Sequence, residues 1–306
     1  MERERIAARL AEMPQRTMND GMKKQEFDID RRSFFALALS GAISMPSGMA
    51  ASESGSVLRI AHIGDPQFGF GPRETLDEFQ KRYRLHLRRF ENLIEIVNAL
   101  KPDMAVISGD MTHHDEDITR DWPRLLKEFT VPVLVAPGNH DTSIPLKYES
   151  VKRFRKIFGY DYKAQDVKGW RIIAGNTQYW YETNEKKLAA EYEVWLGKEF
   201  EQARAYGGRV IIAGHVAPFV YTPEEADSYE NCPIAKRKAR LDAYLAAGAR
   251  FYLSGHMHRM CARNYGNLAI LTSETTCVNF DRSPHAFHLL EISGDFSYTW
   301  RSIAVR

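Results

Sequence analysis

Five short apolar runs in this 306-residue chain end the same way, in a glycine followed by a polar side chain able to bind a metal. Residues 57–63 lead through Gly64 to Asp65, and 104–108 lead through Gly109 to Asp110. Residues 133–137 lead through Gly138 to Asn139, 210–213 through Gly214 to His215, and 251–254 through Gly255 to His256. Runs of this length and apolar content read as buried strands. Glycine lets the backbone turn sharply and approach a ligand closely. Ligands of open α/β sheets bind at the carboxyl ends of the strands. The five ends are therefore expected to converge on one rim of the fold.

Helical patterns separate these runs. Tyr83, Leu87, Phe90, Ile94, Val97 and Leu100 recur on one helix face, and Pro102 marks the stop. Residues 188–206 place Tyr192, Trp195, Leu196, Phe200 and Ala203 on one side of a second helix, closed by Gly207 and Gly208. Residues 234–247 form a third, closed by Gly248. The last third turns strand-rich, at 267–272, 286–291 and 298–303, with a turn at Gly294 and Asp295. Alternating strands and helices predict an α/β fold. No internal repeat is visible beyond the strand–glycine–ligand pattern.

The first fifty residues read as an address rather than as part of that fold. Arg31 and Arg32 precede an apolar stretch at 34–43, followed by Pro46 and by small residues at Gly48 and Ala50. This order of basic, apolar and small-residue regions is that of a secretory signal, with cleavage expected after Ala50 or Ala51. The arginine pair, with Phe34 two positions on, matches a twin-arginine export signal. Acidic Glu2, Glu4 and Glu12 lie far upstream of it, so a start at Met22 or Met18 fits the signal better than Met1. The expected organisation is an extension and signal over 1–50 and one domain over 51–306. The expected destination is the bacterial periplasm, with the export machinery as a partner and no stable membrane span after processing.

Composition narrows the function. A chain that is 44% hydrophobic and 27% charged is neither disordered nor fibrous. Its 42 Lys and Arg balance 40 Asp and Glu, so no nucleic-acid partner is expected from bulk charge. Cys232, Cys261 and Cys277 are too few for a disulfide framework and are not spaced as a zinc motif.

Asp65, Gln67, Asp110, Asn139, His215, His256 and His258 together make a mixed oxygen and nitrogen donor set. Such a set suits manganese, iron or zinc rather than calcium. Seven donors exceed what one tetrahedral ion needs and fit two ions sharing a carboxylate. Two ions about 3.5–4 Å apart can hold a hydroxide between them and clamp both oxygens of an in-line phosphoryl displacement.

The blocks Gly109-Asp110, Gly138-Asn139-His140-Asp141, Gly214-His215 and Gly255-His256-Met257-His258 resemble the calcineurin-like metallophosphoesterases. The likeness runs from about residue 57 to 260. It implies a four-layer α/β/β/α sandwich, with the trailing strands in its second sheet. It also implies a dinuclear centre of divalent or mixed-valence ions acting on a phosphorylated substrate. Asp65 and His258 would bind the first metal, Asp110 would bridge, and Asn139, His215 and His256 would bind the second. His140 would serve as general acid or transition-state stabiliser, oriented by Asp141. The family usually reads Asp-x-His in its first block, where this chain has Asp65, Pro66 and Gln67. That form resembles the complete-S-transactivated-protein branch. Gln67 keeps a second reading open, a phospho-ligand-binding protein with one metal and little turnover. A nuclease is disfavoured by the neutral charge.

Other features have two readings each. His113 and His114 reach the pocket or decorate a loop. Lys81, Arg82, Arg84, Arg88 and Arg89 form a solvated helix face or attract phosphate. Phe219, Tyr221 and Tyr229 in loop 216–233 wall the pocket or pack the loop. Tyr179, Trp180 and Tyr181 follow a strand ending at Asn176 and are placed where they could edge the cleft.

Overall fold

The computed structural model describes residues 57–71 and 75–306; the expected export signal lies outside the described residues. Five strands form the first sheet: β1 (Leu58–Ile63), β2 (Met104–Ser108), β3 (Val133–Ala136), β10 (Ala286–Ile292) and β11 (Tyr298–Ala304). Their order is β11-β10-β1-β2-β3. The second sheet has six: β4 (Lys163–Val167), β5 (Trp170–Ala174), β6 (Val210–Ala213), β7 (Ala249–Ser254), β8 (Cys261–Tyr265) and β9 (Leu268–Thr272). Their order is β4-β5-β6-β7-β9-β8. The first sheet is parallel through β1, β2 and β3 and antiparallel at the β10–β11 margin, and the second is parallel through β5, β6, β7 and β9 with antiparallel strands at both edges.

Helices cover the outer faces. Helix α1 (Leu76–Leu100) is followed by α2 (Ile118–Glu128), the single-turn α3 (Asn139–Thr142), α4 (Tyr148–Phe158), α5 (Lys186–Ala203) and α6 (Ile234–Ala246). Helix α1 begins in a reciprocal cap: Thr75 Oγ1 accepts the Glu78 N–H at 3.2 Å and donates to the Glu78 carboxylate at 2.9 Å. It ends where Lys101 takes a left-handed conformation before Pro102. Its face of Tyr83, Phe90, Ile94 and Val97 joins Trp122 of α2 and Phe154 of α4 over the first sheet. Tyr192 and Leu196 of α5 and Leu241 and Tyr244 of α6 cover the second. A third cluster, including Ile60, Val106 and Leu134 on one side and Ile211, Phe251 and Leu271 on the other, fills the space between the sheets. The result is the expected four-layer α/β/β/α sandwich.

The trailing strands divide between the sheets, which corrects the expectation that all complete the second one. Strand β9 pairs with β7, but β10 returns to the first sheet and lies antiparallel to β1. The free edge of β1, hydrogen-bonded on its other side to β2, is satisfied that way. Strands β4 and β8 and helices α2 and α4 are not among the runs named above. In α2, Pro123 interrupts the pattern that would mark a helix.

Candidate metal centre

Strands β1, β2 and β3 of one sheet and β6 and β7 of the other end at one rim. There the chain delivers Asp65, Asp110, Asn139, His215 and His256 to a single buried cluster. Gln67 and His258 join from two residues further on. Three contacts centre on Asp110 and Asp65. Gln67 Nε2 donates to Asp110 Oδ2 at 3.2 Å, His215 Nε2 lies 3.3 Å from the same oxygen, and His258 Nε2 lies 3.6 Å from Asp65 Oδ1. His215 Nε2 also lies 2.9 Å from Asn139 Oδ1 and 3.0 Å from His256 Nδ1. Donor atoms of Asp110, His215 and His256 all lie within 4.8 Å of one another.

The glycines of the pattern make this convergence possible. A Cβ on Gly109 would collide with the His215 ring, on Gly138 with the Asp110 carboxylate, and on Gly255 with the Asp65 carboxylate. The glycine before one ligand thus leaves the space that another occupies. Asp65, Gln67, Asp110, His256 and His258 themselves have positive φ, between 34° and 70°. Non-glycine residues hold this conformation at a cost of about 1–3 kcal/mol each, and such strain concentrates at functional sites.

Each histidine of the cluster has its outer nitrogen tied to a main-chain carbonyl. His215 Nδ1 donates to Ser108 O at 2.8 Å, His256 Nε2 to Tyr229 O at 2.8 Å, and His258 Nδ1 to Val278 O at 2.7 Å. The other nitrogen of His256 and of His258 therefore presents a lone pair inward, as that of His215 does once its proton gives way to a cation. Asp65 Oδ1 is buried and has no hydrogen-bond donor among the described residues. Lone pairs and carboxylate oxygens converge with too few protons between them. This arrangement fits a cation, and fixing the tautomer through the outer nitrogen is how metal-binding histidines are held.

Charge in the cluster points the same way. Burial alone would hold His215 neutral, but the charges of Asp110 and Asp65 push its pKa up to about 9. Burial pushes Asp65 up to about 8, with Asp110 adding to the rise. Asp110 is held below the usual carboxylate range because His215 and His140 outweigh the effect of its own burial. Burial keeps His256 down at about 3 and His258 at about 4. The carboxylates draw positive charge into a site that two of its three histidines do not supply.

His140 stands beside the cluster, its main-chain N–H on Asp110 Oδ1 at 2.9 Å. Its ring Nδ1 donates to the His113 carbonyl at 2.8 Å. The expected orienting role of Asp141 is therefore corrected. Asp141 accepts the main-chain N–H groups of Met111 at 2.9 Å and Gly138 at 2.8 Å, spending its carboxylate on joining two loops. Burial and Asp110 push Asp141 up to about 8. His113 contributes through its carbonyl and through ring contact with His140 at 5.0 Å. The ring of His114 packs on Phe79 and on His113.

The remaining signals separate. Tyr229 walls the site: its ring lies 4.7 Å from that of His256 and its hydroxyl accepts the Asn139 amide N–H at 2.8 Å. Phe219 packs in the core, whereas Tyr221 is exposed. Tyr179 and Trp180 are core residues, and Tyr181 props loop 216–233 through Asn231 O at 3.1 Å. In the basic cluster, Lys81 pairs with Asp77, and Arg89 binds the carbonyls of Thr276 and Cys277 at 2.7 and 3.1 Å. Sequence reasoning missed Cys277, whose buried Sγ lies 3.9 Å from both Gln67 Oε1 and His258 Nδ1. It also missed the carbonyl ties of Ser108, Tyr229 and Val278, which no side-chain motif announces.

A double sheet with a cation-demanding cluster at its strand ends defines a metal-binding α/β sandwich. The chain belongs to the calcineurin-like phosphoesterase family, whose model matches residues 58–260. Members use divalent metals, and the chain is accordingly a hydrolase of phosphate esters. It is similar to the human protein named serine/threonine-protein phosphatase CPPED1, 27% identical over 248 residues covering 76% of this chain and 79% of the relative. The zebrafish protein of that name is 24% identical over 256 residues, 80% of each chain. Two solved structures share the fold at 14% identity. A dimetal phosphatase from Danio rerio has a TM-score of 0.55, covering 81% of this chain and 98% of its own. GAP50 of Plasmodium, titled the anchor in the inner membrane complex, has 0.56, covering 81% and 84%.

Proposed function

We propose that the chain is an exported phosphatase that cleaves a phosphate monoester at a two-metal centre. The observation that carries this reading is the surplus of inward lone pairs around Asp110. Asn139, His215 and His256 would hold one ion, Asp65 and His258 the other, and Asp110 would bridge. When bound, the ions supply Lewis acidity that activates water and neutralises charge on the phosphoryl oxygens. Gln67 supports this centre from Asp110, to which its amide nitrogen donates, rather than as a full ligand.

The protein's own groups supply orientation and proton transfer. His140 has its Nδ1 proton committed to the His113 carbonyl. When doubly protonated it offers Nε2–H to the leaving oxygen. The Tyr229 hydroxyl accepts from Asn139, which turns Asn139 Oδ1 toward His215 and leaves the hydroxyl proton available to a phosphoryl oxygen.

The relatives' printed name and the Asp65-Pro66-Gln67 form favour the complete-S-transactivated-protein branch and a phosphoserine or phosphothreonine substrate. A second reading, a one-metal phospho-ligand-binding protein, draws on the Gln67 amide nitrogen facing Asp110. Export of a domain over 51–306 rests on the arginine pair and the apolar stretch after it. Among the described residues no helix is long and apolar enough to cross a membrane.

The test is to measure bound metal and turnover of p-nitrophenyl phosphate, bis-p-nitrophenyl phosphate and a phosphoserine peptide, with manganese, iron or zinc added. Metal binding without turnover of any substrate sinks the enzyme mechanism and favours the second reading. Full activity in Asp110→Asn removes the assigned centre. Changing Arg31 and Arg32 together to lysine should hold the precursor in the cytoplasm, and unaltered export would remove the twin-arginine reading.

A further inference from the structure

Toward the rim, the apolar layer between the sheets gives way to His62, Ser108, Ser273, Glu274 and His288, none more than 5% exposed. None of these belongs to the ligand set. His62 and His288 face each other across the β1–β10 pair, ring centroids 6.5 Å apart. Burying such groups costs free energy that apolar side chains at the same positions would not incur.

Ser108 is where this polar floor meets the metal centre. Its hydroxyl donates to Ile63 O at 3.3 Å, tying the last residues of β1 and β2 together one step before Gly64 and Gly109. With that proton committed, Ser108 Oγ accepts from His62 Nε2, 2.7 Å away. Its main-chain oxygen accepts from His215 Nδ1 at 2.8 Å. A second arm braces the same turn. His288 Nδ1 lies 3.0 Å from Ser273 Oγ, which donates to Glu274 O at 2.8 Å. That carbonyl abuts Gly64, 3.0 Å from where a Cβ would stand.

We propose that His62 is a positioning residue for the metal centre, acting through Ser108 to hold Asp65, Asp110 and His215 in register. The inference rests on the metal-centre reading above. One hydrogen bond from His62 sets the orientation of the Ser108 hydroxyl. That hydroxyl joins the strand ends carrying both aspartates, and the carbonyl of the same residue sets the tautomer of His215. Outer groups that orient a metal ligand typically change metal affinity about 10–100-fold when removed.

The experiment titrates Mn²⁺ into the full chain by calorimetry and records melting temperature beside it. His62→Phe keeps a buried ring and removes the donor. His62→Gln restores an N–H near the position of Nε2. His62→Phe is expected to weaken Mn²⁺ binding about 10-fold or more, and His62→Gln to recover most of that loss. Ser108→Ala, which keeps the carbonyl but removes both the His62 contact and the tie to Ile63 O, should show at least the His62→Phe loss. Because the His62 contact is already gone in Ser108→Ala, the double variant should bind no more weakly than Ser108→Ala alone. Wild-type affinity in His62→Phe, no rescue by His62→Gln, or additive losses in the double variant would overturn the proposal. If the unaltered chain itself binds no Mn²⁺, the metal-centre reading falls with it; equal binding by wild type and His62→Phe overturns this proposal alone.

Discussion

The Asp110 carboxylate accepts the main-chain N–H of His140 at 2.9 Å, while its other oxygen faces His215 Nε2 at 3.3 Å. One side chain therefore joins the cluster to the residue assigned to proton transfer. Any shift of Asp110 moves both. The consequences for variants follow from which atoms each side chain engages.

Asp110→Asn removes the charge that draws a cation into the cluster. Bound metal should fall below that of the unaltered chain, and kcat/KM should drop by more than about 100-fold. Elemental analysis of the purified variant alongside turnover of p-nitrophenyl phosphate checks both. Wild-type metal content in the variant would contradict the bridging assignment.

His140 and Asp141 should separate cleanly. His140→Ala should lower kcat about 10²–10⁴-fold with metal content unchanged, because the ring transfers a proton and binds no ion. Asp141→Ala should instead lower stability, by about 1–3 kcal/mol for each of the two N–H groups it orphans. Thermal unfolding and steady-state kinetics distinguish them. A larger stability loss in His140→Ala than in Asp141→Ala would reverse these roles.

Tyr229→Phe keeps the ring against His256 and the carbonyl that holds it, and removes only the hydroxyl that receives the Asn139 amide. Freed of that partner, Asn139 can turn its oxygen away. The mispositioned Asn139 should appear as roughly a five-fold drop in kcat/KM, beside a fall of no more than a few degrees in melting temperature from the lost hydrogen bond. Unchanged kinetics would show that Asn139 is oriented without Tyr229.

In the metal-free protein two buried histidines should cost stability as pH falls below about 6.5. Burial holds His86 down at about 4, with Arg89 adding to it, and holds His62 at about 3. Unfolded histidine titrates near 6.5, so below that pH the unfolded chain binds protons that the folded chain refuses. The contribution of each such histidine is complete above 6.5 and is lost as pH falls toward 4, by about 1.4 kcal/mol per pH unit, against the opposite slope of Asp65 and Asp141, whose raised pKa values favour the folded chain as they take up protons. Urea unfolding between pH 7 and 4 should therefore show a shallower pH slope in His86→Gln. An unaltered slope would remove His86 from the account.

Much of the fold was legible because its signals are local. The strand–glycine–ligand pattern needs only neighbouring residues to be recognised, and so does the periodic face of α1. Helix α2 hides behind Pro123. Strands β10 and β11 look like any trailing hairpin, because which sheet offers them a free edge depends on β1, more than two hundred residues earlier. Asp141 was misread for a related reason. A carboxylate next to a histidine in the chain resembles its orienter, but the turn of α3 points it at the main chain of Met111 and Gly138.

The sequence by itself determined the alternation of strands and helices, the family, and the residues delivered to one rim. Glycine spacing and apolar runs act within a few residues and survive any reading of the rest. Only the tertiary structure decided which carbonyl holds each histidine, that Tyr229 and Cys277 stand at the cluster, and that the inter-sheet layer turns polar at His62 and Ser108. Those are contacts between segments distant in the chain, and packing rather than local preference sets hydrogen-bond direction across such a gap.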